Sequence, residues 1–144
     1  MDMKVEFFVE PASWEADGDA IRAVREAVFM QEQGVPADLE WDGRDADARH
    51  FLVRDSAREP IGTVRLLPDG TIGRMAVVKR WRCRGVGHAL LTGVLETARQ
   101  LGMPQLHLNA QLHALSFYQG FGFVPEGAEF IDAGIPHRRM TLAE

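Results

Sequence analysis

Arginine, glycine and a lone tyrosine mark the stretches of this chain where chemistry is concentrated. From Gly73 to Leu91 the sequence reads GRMAVVKRWRCRGVGHALL, a strand pattern that passes through a basic, glycine-punctuated turn into an amphipathic helix. The first turn of such a helix offers backbone N–H groups without intrahelical partners and the positive end of a dipole, a setting that holds an anion such as a pyrophosphate. Gly85 and Gly87 carry no Cβ and admit close approach, while Arg80, Arg82 and Arg84 add positive charge. The same Gly-x-Gly also serves close packing of a strand on a helix, so an anion cradle and a packing device are both open at this level. Two better-known phosphate motifs are excluded. No Gly-Lys-Ser/Thr follows, and Leu90 stands where the third glycine of a dinucleotide fingerprint belongs. Cys83 is the one cysteine, which rules out an internal disulfide and a thiolate metal cluster; a reactive thiol beside arginines would need a His–Asp companion pattern that is missing.

The elements that must position these residues follow from periodicity and turn chemistry. Val5–Val9 reads as a strand ended by Pro11, and a helix capped by Asp17 or Asp19 carries Ile21, Val24 and Val28 on one face up to Gly34-Val35-Pro36. Residues 36–49 are polar and turn-rich around Trp41. Three strands follow, 50–54, 61–67 and 71–78, joined by connectors too short for a crossover and so forming an antiparallel meander. The helix 85–101 buries Val86, Leu90, Val94, Ala98 and Leu101 along one stripe. The strand 105–110 then returns parallel to the third meander strand by a right-handed crossover. A short helix at 113–119 and two strands, 121–125 and 137–142, complete a mixed α/β layer, one sheet with helices on both faces.

At 144 residues the chain is one domain, 1–144, with no linker, repeat or membrane-spanning apolar run. Its start, MDMKV, has neither a basic nor an apolar leader region, so a cytoplasmic protein is expected. The net charge of −5 is uneven. Residues 1–47 hold 13 acidic and 4 basic side chains, whereas residues 48–144 hold 8 and 12. An acidic front third does not suit nucleic acid, and Asp38, Glu40, Asp42, Asp45 and Asp47 read either as a solvated loop or as a lure for a cationic amine.

Two separated motifs then coincide. Met75-Ala76-Val77 with Arg82-x-x-Gly85-x-Gly87 resembles motif A of the GNAT family of N-acetyltransferases, and Ala114-Leu115-Ser116-Phe117-Tyr118 leading to Gly122-Phe123 resembles a later motif of that family. A finer resemblance points to its small bacterial ElaA/YjcF-like branch. It rests on Phe29-Met30-Gln31-Glu32-Gln33, on Glu40-x-Asp42-Gly43-x-Asp45-x-x-Ala48-x-His50, and on Gly134-Ile135-Pro136-His137.

The resemblance implies a GNAT acyl-CoA N-acyltransferase fold with a mostly antiparallel central sheet, and acetyl-CoA as acyl donor to an amine on a small molecule or a protein. It implies that the N–H groups of Arg82, Cys83, Arg84, Gly85, Val86, Gly87 and His88 hold the pyrophosphate, with Phe117 beside the cofactor. Pantetheine would run along Met75, Ala76 and Val77, on a strand that splays from its neighbour at a bulge, with Asn109 opposite; the N–H of Met75 or Ala76 would face the thioester carbonyl. Tyr118 takes the family's acid position, where a phenol serves the departing thiolate. For the base that deprotonates the amine, Glu32, His50 and His137 are open. His88, His107 and His113 read as structural or solvent-facing. The rival reading is a non-catalytic acyl-CoA-binding regulatory module, and a homodimer is open because the family often dimerises.

Overall fold

Helical periodicity and one glycine set the central contact of the molecule. In α3 (Val86–Gln100) the residues Val86, Leu90, Val94 and Ala98 are all buried, as their spacing predicts, and they pack with Phe51, Val53, Val64 and Leu66 of the sheet. Leu101, expected on that stripe, lies beyond the helix and is 44% exposed. The computed structural model describes residues 6–143.

The order of elements is β1 (Phe7–Ala12), α1 (Trp14–Arg25), a π-helical turn (Glu26–Glu32), α2 (Ala37–Glu40), β2 (Arg49–Asp55), β3 (Pro60–Leu66), β4 (Ile72–Val77), α3, β5 (Gln105–Gln111), α4 (Leu115–Gln119), β6 (Val124–Asp132) and β7 (Ile135–Ala143). Strands pair antiparallel in the orders β1-β2-β3-β4 and β5-β7-β6. The layer expected as one sheet is therefore split. The predicted parallel contact between β4 and β5 exists at a single place, Thr71 opposite His107, where the His107 N–H donates to Gly70 O at 3.1 Å.

Several local expectations shift, each for a physical reason. Pro11 does not end β1, because β1 is an edge strand, where proline is tolerated. The cap of α1 is Ser13, whose hydroxyl accepts from the Ala16 N–H at 3.0 Å while its own N–H donates to Asp17. Past Arg25 the helix widens into a π-turn, which lets Val28 and Phe29 both bury against Ala76 of β4. The strand placed at 121–125 instead starts at Val124 and runs to Asp132, taking Gly127 into a bulge; the hairpin to β7 turns on Ala133 and Gly134, both at positive φ. Val5 and the segment Met1–Lys4 lie outside the described residues.

Within the acidic stretch Glu40, Asp42 and Asp45 form neither a solvated loop nor a lure. Glu40 and Asp45 are buried and, with Asp42, alternate with Arg25, Arg65 and Arg74 in a closed ring. Glu40 pairs with Arg25 and Arg74, Asp42 with Arg74 and Arg65, and Asp45 with Arg65 and Arg25. Three positive charges meet three negative ones, so the ring has no net charge with which to attract an amine. Asp38 and Asp47 are exposed, as expected.

Candidate active site

Below their single contact β4 and β5 diverge, and the facing edges of the two strands form a V. On its β4 side the backbone is bulged: the register shifts so that Arg74 and Met75 oppose the single residue Val64 of β3. Arg74 adopts φ +51. Ala76 and Met75 point to opposite faces, Ala76 into the cluster with Val24 and Phe29, and Met75 toward α4. This is the splayed, bulged edge that the resemblance implied.

Tyr118 reaches this bulge from α4. Its hydroxyl lies 3.8 Å from Met75 Sδ, and its ring meets Phe117 and Phe123 edge-on at centroid distances of 5.0 and 6.0 Å. Burial pushes the phenol pKa up to about 12, so at neutral pH the group is a hydrogen-bond donor.

Beyond β4 the chain passes Trp81 and Arg82 into a turn with Cys83 at φ +61 and Gly85 at φ +88, the latter the N-cap of α3. Among the described residues no side chain caps this helix, and its first internal bond is from the Ala89 N–H to Gly85 O at 3.0 Å. The amides of Val86, Gly87 and His88 therefore precede the ladder and stand at the positive end of the dipole. The packing alternative for the Gly-x-Gly can be weighed directly. A Cβ on Gly85 would meet nothing within 4 Å, and one on Gly87 would make only ordinary contact, 3.6 Å from Phe117. Close strand-to-helix packing is served elsewhere, by Gly62 of β3, whose Cβ would lie 2.8 Å from Val86 Cγ1. Gly85 is glycine for its φ, and the turn is left open.

The remaining residues divide. Arg82 donates to Val77 O at 2.9 Å and is held by both carboxylate oxygens of Glu32, whose pKa is lowered by that hydrogen bond. Glu32 is thus engaged by an arginine. Arg84 stacks 4.0 Å over Trp81 and pairs with Glu6, and Cys83 is exposed. Asn109, exposed on β5, points away from the core side taken by Leu106, Leu108 and Ala110. His137, opposite Gln111 where β5 ends, bonds Ile135 O through Nδ1 at 2.7 Å and stacks on Phe130. His50 is excluded from the V: it is 2% exposed, stacked on Trp14, with Nε2 on Asp45 O and burial lowering its pKa. His107 anchors the strand junction through Thr71 Oγ1, while His88 and His113 are exposed.

A contact between two glutamines at the site has no counterpart in the sequence pattern. Gln33, just after the π-turn, and Gln111 exchange two amide hydrogen bonds of 3.3 and 3.0 Å, tying the helical segment to β5. No spacing signal joins residues 78 positions apart. Two surface hollows, of about 540 and 760 Å³, lie away from the V between β1, β2 and the flank of α3, around Phe51 and Thr97.

The model of the acetyltransferase (GNAT) domain matches residues 17–144. The chain belongs to the GNAT family. This GNAT acyltransferase is 39% identical over 121 residues to YjcF, named an N-acetyltransferase, of Bacillus subtilis (strain 168), covering 81% of this chain and 86% of that one. It is 34% identical over 130 residues to ElaA of Escherichia coli (strain K12), covering 85% and 84% of the two. The crystal structure of Escherichia coli ElaA matches with a TM-score of 0.83 at 30% identity over 93% of this chain and 98% of that one. An acyl-CoA N-acyltransferase from Pseudomonas aeruginosa matches at 0.84 and 27% identity, over 95% and 99%. The chain thus falls in the ElaA/YjcF-like branch, with the fold expected of it. Among the described residues no helix is long and apolar enough to cross a membrane.

Proposed function

We propose that this GNAT enzyme transfers the acetyl group of acetyl-CoA to a primary amine by direct attack in a ternary complex. The observation that carries the reading is the lodging of the Tyr118 hydroxyl against Met75 at the bulged edge of β4, with the uncapped start of α3 at the end of the same strand. On this reading the pyrophosphate rests on the amides of residues 82–88, and pantetheine lies in the V between Met75–Val77 and Asn109. The thioester carbonyl then points at the N–H of Met75 or Ala76. The amine nitrogen attacks the carbonyl carbon, that N–H stabilises the developing oxyanion, and the C–S bond breaks to release the thiolate.

Tyr118 then acts by hydrogen bonding more than by giving up its proton. A phenol of pKa about 12 stands well above a thiol's value of about 8.5, so it stabilises the thiolate while remaining protonated. For the base we favour His137 over Glu32. Nδ1 of His137 donates to Ile135 O, which leaves the lone pair on Nε2 to take the amine's proton through water. Glu32 is instead a positioning partner of Arg82.

Tyr118→Phe is the test. Turnover should fall by about 10²-fold, with CoA affinity measured by calorimetry within a few-fold of wild type. Unchanged turnover at several pH values removes Tyr118 from the mechanism. CoA binding without transfer to any member of an amine panel would favour a non-catalytic binding module.

A further inference from the structure

A long side chain at φ +51 calls for an explanation, because that region is open to glycine and occasionally to asparagine or aspartate but is sterically unfavourable for arginine. Arg74 sits there on the bulge of β4, one residue before the Met75 amide. What offsets the strain lies at the far end of its side chain. Nη2 shares its two hydrogens among Leu39 O, Glu40 O and Asp42 Oδ2, each at 3.2 Å, and Nε lies 3.3 Å from Glu40 Oε1 as a charge contact without hydrogen-bond geometry. These acceptors are themselves fixed. Glu40 is clamped by the buried Arg25, and Asp42 receives two bonds of 2.9 Å from Arg65. Of the six ring members, Arg74 alone belongs to β4, so it is the strut by which the acidic segment reaches the edge of the V.

We propose that Arg74 is a positioning residue for acyl transfer: anchored in the ring of ion pairs, its side chain holds its own backbone in the left-handed region and so aims the Met75 and Ala76 amides into the V. The bulge then fixes two things at once. It turns the N–H groups that face the thioester carbonyl, and it sets the Met75 side chain under the Tyr118 hydroxyl. In a plain strand successive N–H groups point to opposite edges, so one of the two amides would stay in the ladder with β3. The inference rests on the oxyanion role proposed above, and it predicts a dependence on backbone conformation that a purely structural ion pair would not have.

Glycine and alanine at position 74 separate the two possibilities. Both lose the anchor, but only glycine keeps free access to positive φ. Arg74→Ala should lower kcat at least 10-fold with CoA affinity within 2-fold of wild type, since the turn before α3 is untouched. Arg74→Gly should recover most of that loss. In the NMR spectrum the Met75 and Ala76 amide resonances should move in Arg74→Ala and stay near their wild-type positions in Arg74→Gly. Equal loss in both variants, or a wild-type kcat in Arg74→Ala, overturns the proposal. If Arg74→Ala does not fold, Arg74→Gly and Asp42→Asn decide: the proposal requires the two amides to be preserved in the former and displaced in the latter. If wild type binds CoA yet transfers to no amine, the oxyanion role fails, while the amide resonances still judge the positioning.

Discussion

Replacing Gly62 with alanine tests the link between core packing and the cradle at the head of α3. The new Cβ would lie 2.8 Å from Val86 Cγ1, 3.3 Å from Leu90 Cδ1 and 3.4 Å from the Ala76 carbonyl oxygen. Apolar carbons rest at about 3.5–4.0 Å, so Val86 must retreat by about 1 Å. It has little room, being 1% exposed within the main cluster, and it is the first residue of α3. Overpacking of this kind costs about 1–3 kcal/mol, which for a domain of this size lowers Tm by roughly 3–10 °C. Because the displaced residue carries one of the amides assigned to the pyrophosphate, CoA affinity should fall along with stability. Thermal unfolding and calorimetry on Gly62→Ala, Val86→Ala and the double variant measure both effects. The double variant should be more stable than the sum of the two losses, since the smaller side chain makes room for the new methyl. An unaltered Tm and CoA affinity in Gly62→Ala, or strict additivity in the cycle, would refute the proposed contact.

Three further outcomes are expected. Asp42 is held at about 2: burial would raise it, but the Arg65 hydrogen bonds, the Arg44 amide and the nearby arginine charges outweigh that. Its folded value is depressed, so its contribution, about 2 kcal/mol at most, is present above pH 4 and lost as pH falls toward 2. The stability gap between wild type and Asp42→Asn, measured by urea unfolding, should therefore be constant at pH 5–7 and shrink in acid; a gap that persists to pH 2 contradicts the assignment. With the Tyr118 phenol near 12, any limb in the kcat profile between pH 7 and 10 belongs to another group and should survive in Tyr118→Phe. Glu32→Gln should shift KM for acetyl-CoA while leaving kcat and its pH dependence in place; loss of a pH limb would restore Glu32 as the base.

Local patterns carried most of the architecture. The spacing of Val86, Leu90, Val94 and Ala98 and the short connectors of the meander lie within a few residues of one another, so periodicity and turn chemistry were enough to read them. The motif around Arg82–Gly87 and the Tyr118 segment were legible because each is contiguous. The ring of Arg25, Glu40, Asp42, Asp45, Arg65 and Arg74 was not, since its partners come from four separate segments and an acidic run looks the same whether it is solvated or buried. Ser13 carries no signal that sets it apart from Asp17 and Asp19 as a cap, and the strand expected to end at 125 runs on through a bulge that local pattern does not announce. Glu32 and His50 were weighed by side-chain type alone, and type does not reveal that an arginine or a tryptophan already claims them.

The junction of Thr71 with His107 has a mechanical consequence. Two walls that share a single main-chain contact behave like the arms of a pair of compasses: a slight rotation at the pivot leaves the near end unchanged and widens the far end most. Evolution can therefore retune the breadth of this slot, and with it the girth of the acyl chain or nucleophile that the proposed reaction would place there, by changing side chains on the two arms without rebuilding either sheet.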